Sequence, residues 1–158
     1  MSSRDRGAAP PSDTFSAPLR ELLRELHPRL NEGVYVFASP GTATDLSALA
    51  PLATFREAEG VTVVLEESTA KQTGLHVLFR AAWITLTVRS ELSAIGLTAA
   101  VATTLTRAGI PCNVIAAAFH DHLFVPVESA NQAVEALQAL QALQCEARDE
   151  TPQRAPRK

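Results

Sequence analysis

Apolar residues along this chain recur with two periods, one close to 3.6 and one of 2, and their order predicts most of the elements. The pattern is clearest between Ser90 and Pro126. Leu97, Val101, Leu105 and Ala108 lie at i, i+4, i+8 and i+11, one face of a helix over 97–108. Gly109 can take the left-handed conformation that closes such a helix, and Pro111 forbids its continuation. Residues 112–119 are small or β-branched and too apolar to alternate, which predicts a strand buried on both faces. His120 and Asp121 form a polar break, with Asp121 helping to shape a hairpin turn, and 123–127 resume the strand pattern.

Earlier in the chain, Leu19, Leu22, Leu23 and Leu26 make a helical stripe behind an N-cap at Ser16, with Pro18 in the first turn and Pro28 as the stop. Strands are predicted over 33–38, 53–57, 61–66, 75–79 and 82–88, with a weak helix over 42–52 and a two-turn helix over 68–74 capped by Gly74. Gly60 lies in the loop joining the second and third of these strands. Ser129 and Gln132 form a capping box, and Ala133, Val134, Leu137 and Leu140 continue that helix on one face. Residues 143–147 read either as a last strand or as the end of the helix. The second half thus has the order β-α-β-β-α-β, and the first half is a weaker copy. Each unit predicts a four-stranded antiparallel sheet with both helices on one face, an α+β ferredoxin-like fold. The expected organisation is a disordered tail at 1–15, a degenerate unit with its amino-terminal helix at 16–79, a second unit at 80–147 and a disordered tail at 148–158.

Composition narrows the function classes. Of 158 residues, 46% are hydrophobic and 20% charged, a globular balance. Net charge is −3, and the region 16–147 is more acidic than the whole because the C-terminal tail is basic. With 5% aromatic residues and no basic stripe, nucleic-acid binding is disfavoured. No apolar run reaches membrane-spanning length and the first residues lack a secretory pattern, so no membrane partner and a cytoplasmic location are expected. Cys112 and Cys145 form no zinc or disulfide framework, and Cys112 reads as a small buried hydrophobe. Trp83, the single tryptophan, reads first as packing surface.

The stretch AIGLTAAVATTLTRAGIPCNV, followed by FHDHLFVP and preceded by FREAEGVTVVLEE and AWITLTV, resembles the small stand-alone proteins built from tandem ACT domains over roughly 30–142. The resemblance implies two ACT modules and a regulatory rather than catalytic class with no cofactor. It also implies sensing of an amino acid or other small molecule at the seam between modules, near the loop joining a first strand to a first helix. Edge-to-edge homodimers are known in such folds, so a homodimer is carried as an expectation.

The loop Ser90, Glu91, Leu92, Ser93, Ala94, Ile95, Gly96 suits such a ligand. Unpaired amides at the start of a helix carry partial positive charge and favour a carboxylate. Gly96 permits close approach, Ser90 and Ser93 add hydroxyls, Glu91 or Asp121 offers an ammonium anchor, and Asn113 can bond to either group. The plain alternative is that a serine caps the helix and Gly96 eases a turn. His120 and His122 would share one face of a continuous strand, a spacing some metal sites use, but neither His27 nor His76 lies in the same segment, and a structural role is favoured. His122 joins the ligand-site candidates and no metal is assigned. Two other readings stand beside the sensor: a dimerisation module without ligand, and a histidine-based metal-binding protein.

Overall fold

Two antiparallel runs of chain, 28–38 and Val77–Leu86, form the middle of the sheet, and the other elements are arranged around this pair. The computed structural model describes residues 15–41, 44–89 and 93–149, with side chains as far as 146. In chain order the elements are α1 (Ala17–Arg24), β1 (Pro28–Leu30), β2 (Tyr35–Ala38), α2 (Leu46–Leu49), β3 (Ala53–Arg56), β4 (Val61–Glu66), α3 (Glu67–Thr73), β5 (Val77–Leu86), α4 (Leu97–Arg107), β6 (Asn113–Ala116), β7 (Asp121–Pro126) and α5 (Ala130–Asp149). The strands form one sheet in the order β3-β4-β2-β5-β7-β6, with β1 lying beside the C-terminal half of β5.

This order contains two ferredoxin-like modules that share a strand. The first uses β2, α2, β3, β4, α3 and the N-terminal half of β5, which pairs with β2 from Ala81 to Val77. The second uses the C-terminal half of β5, α4, β6, β7 and α5. Its fourth strand is β1, which sets Pro28 opposite Leu86 and Leu30 opposite Ile84. Residues 143–147 therefore continue α5 and are not a strand, because the edge they would have occupied is already filled.

The separate strands expected at 75–79 and 82–88 are one strand of 10 residues. Arg80 interrupts the apolar pattern without interrupting the strand, because it stays exposed opposite Val36 of β2 while its side chain pairs with Glu67 on α3. Arg80 first, and then Lys71, hold the Glu67 carboxyl well below the usual carboxylate range. A boundary at 79/80 thus falls inside β5, and the first-half strand β1 completes the second module. The first module is the slighter of the two. Its first helix, α2, is a single turn, started by Asp45 accepting from the Ser47 amide at 2.9 Å and ended by Ala50 at φ +43.

Cross-strand partners share a face, so the register sorts the side chains. On the helix side, Val36, Ala38, Val63 and Leu65 pack with Leu49 and Ala70. In the second module Ile84, Leu86, Leu123 and Val125 meet α4, α5 and α1. The amino-terminal leucine stripe is part of this core: Leu23 and Leu26 are fully buried, and α1 touches both α4 and α5. Ser16 stands at the N-cap of α1, but its side chain makes no capping bond. Arg24 Nε donates to the Gln144 carbonyl at 2.8 Å, and Gln141 Nε2 donates to the Arg24 carbonyl at 2.7 Å, pinning the end of α1 to α5.

Two further expectations change near the hairpin. The strand predicted over 112–119 is Asn113–Ala116 and is not buried on both faces, because β6 is the last strand of the sheet and leaves Asn113 and Ala116 exposed. The hairpin closes through the Ala117 amide bonded to the His120 carbonyl at 3.1 Å. Asp121 lies outside that turn as the first residue of β7, opposite Leu86 and Ala116 and 6% exposed.

Candidate functional site

Among the described residues one cleft is lined by Glu32, Glu66, Glu67 and Ser68 with no basic side chain, and two other places that gather polar chemistry lie on opposite faces of the sheet. The first is at the C-terminal end of β5, where the chain leaves the sheet toward α4. A cleft of about 330 Å³ opens there between α1 and the residues after β5. Glu21 of α1 and Glu25 just after it line it together with His27, Thr87 and Arg89. The Thr87 hydroxyl donates to the His27 carbonyl at 3.1 Å and ties the two walls together. Glu21 pairs with Arg24 at 2.7 Å and Glu25 lies 3.6 Å from His27. Carboxylates on one wall and a guanidinium on the other match the two charged ends of a zwitterion.

The second place is the face of the sheet away from the helices. Tyr35, Phe37, Phe79, Trp83 and Phe124 gather here with Val64 and Ala81. Tyr35 meets Trp83 edge-on at 5.2 Å between ring centroids, and Phe37 meets Phe124 at 5.4 Å. In a flat sheet β3 and β6 would lie about 24 Å apart, five strand spacings. Yet Leu52 and Ala53 from one edge and Ile115 and Ala117 from the other line one cavity of about 210 Å³, with Trp83, His122 and Phe124. The sheet is therefore strongly curled, and this face is its concave side.

A hydrogen-bonded chain crosses that concave face. Asn31 Nδ2 donates to Thr85 Oγ1 at 2.9 Å, and Thr85 Oγ1 lies 3.3 Å from His122 Nδ1. Trp83 Nε1–H donates to the same Nδ1 at 3.1 Å. An indole nitrogen only donates, so His122 Nδ1 must be the unprotonated acceptor and the proton sits on Nε2. Burial, followed by the neighbouring His120, pushes the His122 pKa down, and Asp121 opposes the shift.

The chain that carries these sites can be placed by comparison. ACT-domain families match residues 17–82 and 79–139, meeting at the shared strand. A crystal structure from Vibrio cholerae, described as a protein of unknown function and possible transport protein, is 49% identical. It covers 78% of this chain and 96% of its own, with a TM-score of 0.72. The chain is a tandem ACT-domain protein. ACT domains are regulatory, non-catalytic modules that bind small ligands. The fold of this tandem ACT protein is shared by the Agrobacterium tumefaciens protein Atu0741, at 18% identity over 72% of this chain and 87% of that one, TM-score 0.59. It is also shared by the ligand-free regulatory subunit of aspartate kinase from Thermus thermophilus, at 12% identity over 72% of this chain and 96% of that one, TM-score 0.57. No curated protein matches the sequence. No helix among the described residues is long and apolar enough to cross a membrane.

Within the tandem ACT protein the sequence-predicted site residues divide between the two faces. Ser90, Glu91 and Leu92 lie outside the described residues. Ser93 and Ile95 are exposed in the connection to α4. Gly96, at φ +100, is overlaid by α1, where an added Cβ would stand 2.7 Å from Leu19 Cδ2. Asp121 is on the helix face, opposite Leu86. Asn113 is opposite Phe124 and His122 opposite Thr85 and Ile115, which puts both on the concave side. His122 is in β7 whereas His120 is in the hairpin, so they do not share a continuous strand. Among the described residues, no three His, Cys, Asp or Glu side chains form a group that could hold a metal.

Sequence reading missed Glu21, Glu25 and Arg89, which become neighbours only when α1 folds over the end of β5. The concave aromatics did leave a signal, since Tyr35 and Phe37, like Phe79 and Trp83, stand at even spacing on their strands.

The His122 arrangement makes a pH prediction. The folded protein disfavours protonated His122, so its contribution to stability is complete above the unfolded value of 6.5 and is lost as pH falls below it through the folded pKa. Urea unfolding between pH 8 and 5 should show stability falling as the solution is acidified, and the His122→Phe variant should show a shallower fall. Identical slopes in the two proteins would disprove the assignment.

Proposed function

We propose that this tandem ACT protein is a non-catalytic regulator that senses an amino acid, and that the ligand expected at the seam between modules sits instead within the second module, in the cleft between α1 and the residues that follow β5. The observation that carries the reading is the charge on the walls of that cleft. Glu21 and Glu25 offer an ammonium anchor, and Arg89 offers a carboxylate anchor next in sequence to the candidates Ser90, Glu91, Leu92 and Ser93. Asp121 belongs to the same end of the sheet through its place opposite Leu86. Asn113 and His122 face the other way and are left out of this site. A ligand held between α1 and the β5 end touches the helix that packs on α4 and α5, so its binding is felt across the second module's core.

Thermal-shift and calorimetric titration against each of the common amino acids tests the reading. One of them should raise stability, by about 2.7 kcal/mol at a hundredfold excess over its Kd. Arg89→Ala should weaken that binding at least tenfold while leaving the ligand-free melting temperature within about 2 °C of the parent. Absence of stabilisation by every amino acid, or a response untouched by Arg89→Ala, would sink it.

A further inference from the structure

The concave cavity belongs to neither the charged cleft nor the helix-side core, and its chemistry differs from both. Its walls are Leu52, Ala53, Ile115, Ala117 and Phe124, closed by the Trp83 ring and His122. No charged side chain is among them, so an ionised carboxylate or ammonium entering would lose its hydration without a counter-charge. The one polar group it offers follows from the hydrogen-bond chain. His122 Nδ1 is occupied by Trp83 and Thr85, and Nε2–H has no partner among the described residues. An apolar cavity of about 150 Å³ admits a benzene ring. The 210 Å³ here admits a ring with a small substituent.

We propose that the concave face is a second ligand site, for an uncharged aromatic molecule bearing one hydrogen-bond acceptor, with its ring against Trp83 and its acceptor on His122 Nε2–H. The site requires both modules. Leu52 and Ala53 belong to the edge of the first and Ile115 and Ala117 to the edge of the second, so an occupant bridges the two ends of the curled sheet. The charged cleft on the other side is not needed for it. Occupancy favours the tighter curl, because a ligand stabilises whichever arrangement of the two edges it contacts best.

Trp83 is the single tryptophan of the chain, so its emission reports this cavity without interference. The full chain is titrated with benzyl alcohol, and with benzoate and benzylammonium as charged comparators. A saturable change in Trp83 emission is expected for benzyl alcohol, with at least tenfold weaker binding of both ions. His122→Phe should weaken benzyl alcohol several-fold through loss of the donor. Ala53→Leu should abolish saturation by filling the cavity, and Ala117→Leu gives the same reading if Ala53→Leu fails to fold. Arg89→Ala should leave the response unchanged, which separates this site from the amino-acid cleft. A linear, unsaturable change would overturn the proposal, as would equal affinity for benzoate. Sedimentation showing a second copy of the chain seated on this face, with the emission change following protein concentration instead of benzyl alcohol, would also overturn it.

Discussion

Replacing Leu23 with alanine should lower the unfolding free energy by about 2–5 kcal/mol and the melting temperature by roughly 5–15 °C. Leu23 is fully buried, and its helix with the turn that follows carries Leu19 and Leu26 into the same core as Leu105, Leu123 and Leu137. The loss comes from two sources. The missing methyl groups forfeit their transfer free energy, and the cavity they leave is only partly filled by a neighbourhood already held by β5, β7 and α5. The expected size also distinguishes an integral α1 from a loosely docked one. If α1 were an accessory, its deletion or the Leu23→Ala change would leave the main unfolding transition in place. A single cooperative transition displaced as a whole is the expected result in chemical denaturation, and a shift of less than about 1 kcal/mol would show that α1 does not belong to the core.

Gly96→Val should be the next most damaging change, at about 2–5 kcal/mol. Gly96 sits at φ +100, a conformation that a β-branched residue adopts only under strain. Its missing Cβ also leaves the space that Leu19 fills, with Leu19 Cδ2 only 2.7 Å from where a Cβ would stand. Strain and clash can be separated. Gly109 also has positive φ, at +74, but an added Cβ there meets nothing within 4 Å, so Gly109→Ala carries the conformational cost alone. Gly96→Ala should cost more than Gly109→Ala in the parent and fall toward it in a Leu19→Ala background. Additivity of Leu19→Ala and Gly96→Ala within about 0.5 kcal/mol would refute the close approach.

The role of Gly96 shows where sequence reading reached its limit. A glycine before a helix is compatible with a turn, with room for a ligand or with room for another part of the chain. Only the packing of α1 brings Leu19 to it. The same holds for Asp121 and His122. The alternation of β7 sends them to opposite faces, so two adjacent candidates for one pocket serve different sides of the sheet. Had 120–122 been read as strand, the separation of Asp121 from His122 would have followed from the period of 2. The polar break at His120 hid it.

What the sequence determined by itself was local. The helix from Leu97, the strand pairs around Gly60 and within 112–127, the leucine stripe and the β-α-β-β-α order of the second half follow from periodicity, caps and turn residues, which act over a few positions. Strand partnership was decided by the tertiary structure. Leu30 and Ile84, 54 positions apart, pair because the second module has an open edge there and β1 meets it antiparallel. The fusion of 75–79 with 82–88 needed β2 and β7, which pair with β5 on either side through Arg80, Ala81 and Ala82. The curl that brings Ala53 within reach of Ile115 is the accumulated twist of a whole sheet. No single window of sequence contains it, and both the charged cleft and the concave cavity exist only because distant elements converge.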